Sequence, residues 1–155
     1  MKDNYDITAL HFAAQNISSK CLNILLKHTD SSMIDIQDSM MCTPLHWASA
    51  SASEENIKLL ISRNANILIT DNMGKTPLHW SASNEKGTSS TCIQTLMLAA
   101  SSSVNWQDYD GITALHLAIM NNLQDAVQKI LSMKQCNVDI KDNQYRTALH
   151  WAAAR

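Results

Sequence analysis

Turn formers are scarce in this chain: three glycines and two prolines in 155 residues, a shortage that its organisation has to explain. Charge of one sign is also missing. Twelve basic residues against 14 acidic give a net charge of −2, and no Lys/Arg cluster supplies an electrostatic footprint for nucleic acid or an anionic membrane. Apolar stretches such as Leu96 to Ala100 and Ile67 to Ile69 fall far short of the roughly 18 residues of a membrane span. The first six residues, Met-Lys-Asp-Asn-Tyr-Asp, have no apolar core, so no signal peptide is visible. Cysteine is sparse as well. Cys21, Cys42, Cys92 and Cys136 show no paired spacing, which suggests neither a zinc ribbon nor a redox pair and suits a reducing, cytoplasmic setting. What is present, 45% hydrophobic and 17% charged residues, is the composition of a folded globular chain.

The main signal is internal self-similarity. Thr, Ala or Pro, Leu, His occurs at residues 8–11, 43–46, 76–79, 113–116 and 147–150, so successive threonines stand 35, 33, 37 and 34 apart. Five residues before each threonine is an aspartate: Asp3, Asp38, Asp71, Asp108 and Asp142. Fourteen residues after it an apolar run begins at Leu22, Ile57 and Val127, while Ile93 comes three residues late in the third unit. Five of the six histidines and both prolines fall inside the motif.

Each unit reads as helix, turn, helix and an extended arm. The threonine can accept from backbone N–H groups of a first turn, and proline just after it costs little because that N–H would be unpaired anyway. The second helix repeats apolar residues at helical spacing: Leu22, Leu25, Leu26; Ile57, Leu60, Ile61; Ile93, Leu96, Met97; Val127, Ile130, Leu131. Two helices of about eight to ten residues cannot bury both faces alone, so the units must stack. The arms are expected at Ile34 to Ile36, Ile67 to Ile69, Val104 to Trp106 and Val138 to Ile140.

A unit of about 33 residues opened by Thr-Pro-Leu-His resembles the ankyrin repeat. The resemblance covers essentially the whole chain and implies an all-α solenoid of helix-turn-helix units with short β-hairpin arms. Hairpin tips and first helices would then line one concave face. The expected units are 3–37, 38–70, 71–107 and 108–141 with a partial fifth at 142–155, the pattern of a segment from a longer array with frayed ends. The family places glycine two residues before the threonine, where this chain has Gly74 and Gly111 but Asp6, Met41 and Tyr145 elsewhere. If those positions need φ > 0, Met and Tyr cost about 1 kcal/mol each there. Stretches that repeat structure does not demand, above all Asn105-Trp106-Gln107-Asp108-Tyr109, resemble the ankyrin proteins of cilia and cell-polarity signalling. That resemblance implies ciliary or cytoskeletal scaffolding, with Dishevelled-type and ciliary scaffold partners.

No nucleophile elbow, phosphate-cradling glycine loop or His-Glu metal signature occurs, so no catalytic, metal or cofactor site is read. Equivalent histidines on helices about 8–10 Å apart cannot converge on one zinc, whose nitrogen ligands lie within about 2.1 Å. His11, His46, His79, His116 and His150 are read as structural hydrogen-bonding groups and His28 as solvent-facing. Trp47, Trp80 and Trp151 are expected to pack within helix pairs, and Met97 and Met133 in the core. Arg146 to Leu149 fits a loose Arg-x-x-Leu degradation signal, but Leu149, as a motif leucine, is expected to be packed. The resemblance puts partner contacts at Tyr5, Met40, Asn72, Met73, Tyr109, Asp110, Asn143 and Gln144 on the tips, with Asn84 and Asn121 at first-helix ends; Trp106 adds an anchor in an arm. The expected function is non-enzymatic protein binding, with no nucleic acid, membrane insertion or small-molecule substrate. The alternatives are an unrelated ankyrin adaptor or the cytosolic array of an ion channel, and from a different class a cryptic enzyme or metal-binding protein.

Overall fold

In the computed structural model, which describes residues 3–83 and 90–154, each Thr-x-Leu-His motif opens a short helix. These are α1 (Ala9–Gln15), α3 (Pro44–Ala50), α5 (Pro77–Ala82), α7 (Ala114–Met120) and α9 (Ala148–Ala153). The threonine before each is extended, with ψ near 167–169°, and Pro44 and Pro77 occupy the first helical turn. Four longer partners follow: α2 (Ser19–His28), α4 (Glu54–Ser62), α6 (Ser90–Ala99) and α8 (Gln124–Leu131). Short helices pack in one row, α1 on α3 on α5 on α7 on α9, and long ones in another, α2 on α4 on α6 on α8. The core lies between the rows. Leu45, Leu78, Ile57, Leu60, Ile93, Leu96 and Ile130 are fully buried there, as is Met97, while Met133 packs at the edge. The added residues near 87–89 that delay α6 lie outside the described residues.

Two apolar residues depart from expectation. Leu149 is 76% exposed although its counterparts Leu10, Leu45, Leu78 and Leu115 are buried, because those leucines are covered by the second helix of their own unit. Leu131, also exposed, has no following long helix of this chain against it.

The segments expected to be extended form turns instead. Ser31–Met33 and Ser101–Asn105 are 3₁₀ turns. Asn66 and Asn137 side chains accept from the N–H two residues on, at Leu68 and Asp139, which closes the local turn. In three of them a branched residue serves as a peg, Ile34, Ile67 and Val104 being buried, whereas Val138 in the fourth is exposed. The hairpins lie just beyond, where the N–H of Asp38, Asp71, Asp108 and Asp142 donates to the carbonyl four residues later at 2.9 Å.

Asparagine and arginine clamps tie neighbours together. Asn56 Nδ2, fully buried, donates to the Ala14 and Asn16 carbonyls at the end of α1, and Arg63 donates to Leu26 O at the end of α2. Both satisfy helix-terminal carbonyls that would otherwise lack partners.

Candidate functional site

The tips are built on the periodic aspartates. In every unit Oδ1 accepts from the N–H two and four residues on, as at Asp71 with Met73 and Lys75, both 2.9 Å. This closes a loop whose fourth residue has positive φ: Asp6 59°, Met41 61°, Gly74 79°, Gly111 76° and Tyr145 62°. Each tip is then bonded to the next. Ser39 N–H donates to Tyr5 O, Asn72 to Met40 O, Tyr109 to Met73 O and Asn143 to Asp110 O, at 2.9–3.0 Å. Five loops thus form one backbone-linked row, which offers side chains from fixed positions at low ordering cost.

Histidine stitches the row to the short helices. Nδ1 of each motif histidine accepts from the threonine N–H at 3.0–3.3 Å, with the threonine hydroxyl 2.8–2.9 Å away. With Nδ1 an acceptor, the ring proton belongs on Nε2. His11, His46 and His79 donate that proton to the carbonyls of Cys42, Lys75 and Ile112 in the following unit, at 3.0–3.1 Å. His116 is turned toward the corresponding Arg146 carbonyl without closing the bond. Burial pushes the pKa of His46 down to about 4, against the opposing pull of the Lys75 carbonyl, and lowers His79 and His116 for the same reason. His46 and His79 are thus neutral structural donors. His28 is exposed at the end of α2.

The second carboxylate oxygen carries the tryptophans. Trp47, Trp80 and Trp151, all half-buried, donate their indole N–H to Oδ2 of Asp38, Asp71 and Asp142 at 2.9–3.0 Å. Trp47, Trp80 and Trp151 also meet His11, His46 and His116 edge-on, with centroids 5.6–6.2 Å apart. Burial alone would raise the pKa of Asp142, but donors from Arg146, Trp151 and Gln144 outweigh it and hold the group at about 2. Buried Cys42 is pushed up to about 12, first by burial and then by Asp38 and Asp71, so it offers no thiolate for chemistry.

Of the expected contact residues, Tyr5, Met40, Asn72, Met73, Tyr109, Asp110, Asn143 and Gln144 all stand exposed on the tip row. Trp106 is partly exposed at the end of its 3₁₀ turn. Asn121 is half-buried and spends its amide on Ala82 O at 3.1 Å; Asn84 lies outside the described residues. Asp110, Asn143 and Gln144 come together along a groove of about 360 Å3 between tips and short helices, which Asp108, Leu117, Met120, Arg146 and Trp151 also line. Leu117, Met120 and Arg146 were not among the expected residues. The available signal was the change at the residue after the motif histidine, tryptophan in three units but Leu117 in the fourth. Among the described residues no helix is long and apolar enough to cross a membrane.

A stack of helix pairs tied by Thr/His caps, with a linked row of tips, defines a repeat-type interaction protein. A model of ankyrin repeats matches residues 1–71, 35–105 and 85–155, and the chain belongs to that family. It is similar to inversin of Canis lupus familiaris and of Homo sapiens, 40% identical to each over 144 residues. Those matches cover 92% of this chain but only 13% and 14% of the two inversins. A B-cell lymphoma 3 protein homolog of Mus musculus is 29% identical over 145 residues, 88% of this chain and 32% of its own.

Proposed function

We propose that this chain is a non-enzymatic protein-interaction scaffold of the inversin kind, acting in ciliary and Wnt/planar-polarity signalling. Its setting would be the cytoplasm, at the cilium and cytoskeleton. Its partners would be Dishevelled-type proteins and other ciliary scaffolds, held on the concave face and the tips. Units at 3–37, 38–70, 71–107 and 108–141, with a partial unit at 142–155, would be its functional modules. The observation that carries the reading is the backbone-bonded tip row, with the large side chains of Tyr5, Met40, Met73 and Tyr109 exposed on it. Similarity to the inversins across 92% of the chain supports the ciliary part. The test is a pulldown comparing the wild-type chain with a Tyr109→Ala, Met73→Ala, Gln144→Ala variant. Partners held by the tips are lost from the variant; equal recovery of the same partners from both sinks the tip assignment. A fluorescent fusion that spreads evenly with no ciliary enrichment would remove the ciliary part.

A further inference from the structure

The groove at the fourth unit is an enlarged version of one found elsewhere in the row. In the second unit the corresponding cleft, lined by Asp38, Met40, Trp47 and Ala50 with Trp80 of the next unit, encloses about 170 Å3. In the fourth, the matching positions are Asp108, Asp110, Leu117 and Met120 with Trp151, and the space, which here also runs on to Asp142, Asn143, Gln144 and Arg146 of the next tip, is about 360 Å3. The chemical difference that matters is Leu117, which stands where the second, third and fifth units carry tryptophan.

That replacement removes a hydrogen bond as well as volume. Asp38, Asp71 and Asp142 each receive an indole N–H on Oδ2. Asp108 is just as buried, 6% exposed. Its Oδ1 is engaged by the N–H groups of Asp110 and Ile112, and among the described residues nothing donates to its Oδ2. Asp108 lines the groove, so this oxygen, which has no internal donor among the described residues, is open to one brought by a ligand. The chain itself shows which donor fits such a carboxylate. Three indoles sit on the equivalent oxygen at 2.9–3.0 Å.

We infer that the Leu117 notch receives a tryptophan side chain from a partner polypeptide, its indole N–H donated to Asp108 Oδ2 and its ring lying over Leu117 and Met120. This rests on the reading that the face binds proteins. An arginine or lysine from the partner is the rival occupant. The groove is lined by Asp108, Asp110 and Asp142 beside Lys75 and Arg146, with Arg146 Nε 2.8 Å from Asp142, so charge does not separate the rivals. The preference for indole rests on the three internal indoles that already occupy the equivalent oxygen, and an arginine probe tests it directly.

The experiment is an amide-detected NMR titration of the 155-residue chain with N-acetyl-tryptophanamide, N-acetyl-phenylalaninamide and N-acetyl-argininamide. The tryptophan probe is expected to shift the amides of Asp110, Ile112, Leu117 and Gln144. The phenylalanine probe, lacking the N–H, should bind about tenfold more weakly. Leu117→Trp fills the notch from within and should abolish the effect; Asp108→Asn, which keeps the Oδ1 acceptor of the turn, should weaken it about tenfold. Three results overturn the inference: no localised shifts in the wild type, equal binding by tryptophan and phenylalanine probes, or stronger binding of the arginine probe. If Leu117→Trp fails to fold, Asp108→Asn decides alone, and unchanged affinity there is also overturning. A parallel pulldown separates the two readings. Partners captured equally by wild type and Leu117→Trp remove the notch and leave the scaffold; no partner captured by the wild type removes the scaffold, while the titration still decides the notch.

Discussion

At the residue scale the fold tolerates a repeated strain. Met41 and Tyr145 hold φ of 61° and 62° in the loop position that Gly74 and Gly111 occupy at 79° and 76°. Neither side chain compensates by packing, since Tyr145 is 81% exposed and Met41 about half. Met41→Gly and Tyr145→Gly are therefore expected to stabilise the chain by about 1 kcal/mol each, the relief of a left-handed conformation with a Cβ. The reverse changes are unequal. A Cβ on Gly74 would lie 2.6 Å from Tyr109 Cδ1, an exposed ring that can swing, and 3.0 Å from the Tyr109 backbone N. On Gly111 it would lie 2.8 Å from the Asn143 backbone N, which already donates to Asp110 O. Gly111→Ala should cost more than Gly74→Ala in urea melts of the two variants. Equal losses would mean that the tip ladder is softer than its bonds suggest.

At the element scale, the short helices are fastened through neutral histidines, which makes their packing pH-dependent. An unfolded histidine titrates near 6.5, whereas burial lowers His46 to about 4 and His79 and His116 in the same direction. Below pH 6.5 the unfolded chain binds more protons than the folded one. The contribution is thus complete above about 6.5 and is lost as pH falls toward 4, His46 alone accounting for roughly 3 kcal/mol of the loss. Urea midpoints are expected to be flat above pH 7 and to fall steeply between 6.5 and 4.5; a flat profile through that window would show the rings protonating while folded. The helix starts were legible in sequence because Thr, Pro and His act within one turn of chain. Tip positions were legible too, since each aspartate bonds within four residues. Pairings of Asp38 with Trp47 and of Asp108 with no indole were not, because a nine-residue separation acquires meaning only once helix and loop meet. Asn56 and Arg63 escaped for a similar reason: their acceptors, Asn16 and Leu26, belong to the preceding unit. The turns at 34–36 and 67–69 were misread as extended because branched residues suit both strands and buried pegs.

At the scale of the molecule, stability is a sum over neighbours. Short helices contact short and long contact long along the stack, the condition under which a repeat array opens from its ends. Within residues 1–155, inner units have a neighbour on each side and the outer ones on one side. The difference shows in the apolar surface, with Phe12, Ile17 and Ile24 exposed at one end and Leu131 and Leu149 at the other, while Leu45, Leu78 and Leu115 are buried. Covering one such leucine is worth about 1.5–3 kcal/mol, so α9 and α8 should open with a free energy lower than that of α4 and α6 by at least that amount. Amide hydrogen exchange of this chain is expected to be slowest in α3 to α6, faster in α1 and α2, and fastest in α9. Urea should give a broad transition whose early phase is reported by Trp151, on α9, and whose later phase is reported by Trp47 and Trp80. Uniform protection from α1 to α9, with one sharp transition common to all three indoles, would mean that the inter-unit bonds of His46, Asn56 and Arg63 couple the stack more strongly than its exposed ends weaken it.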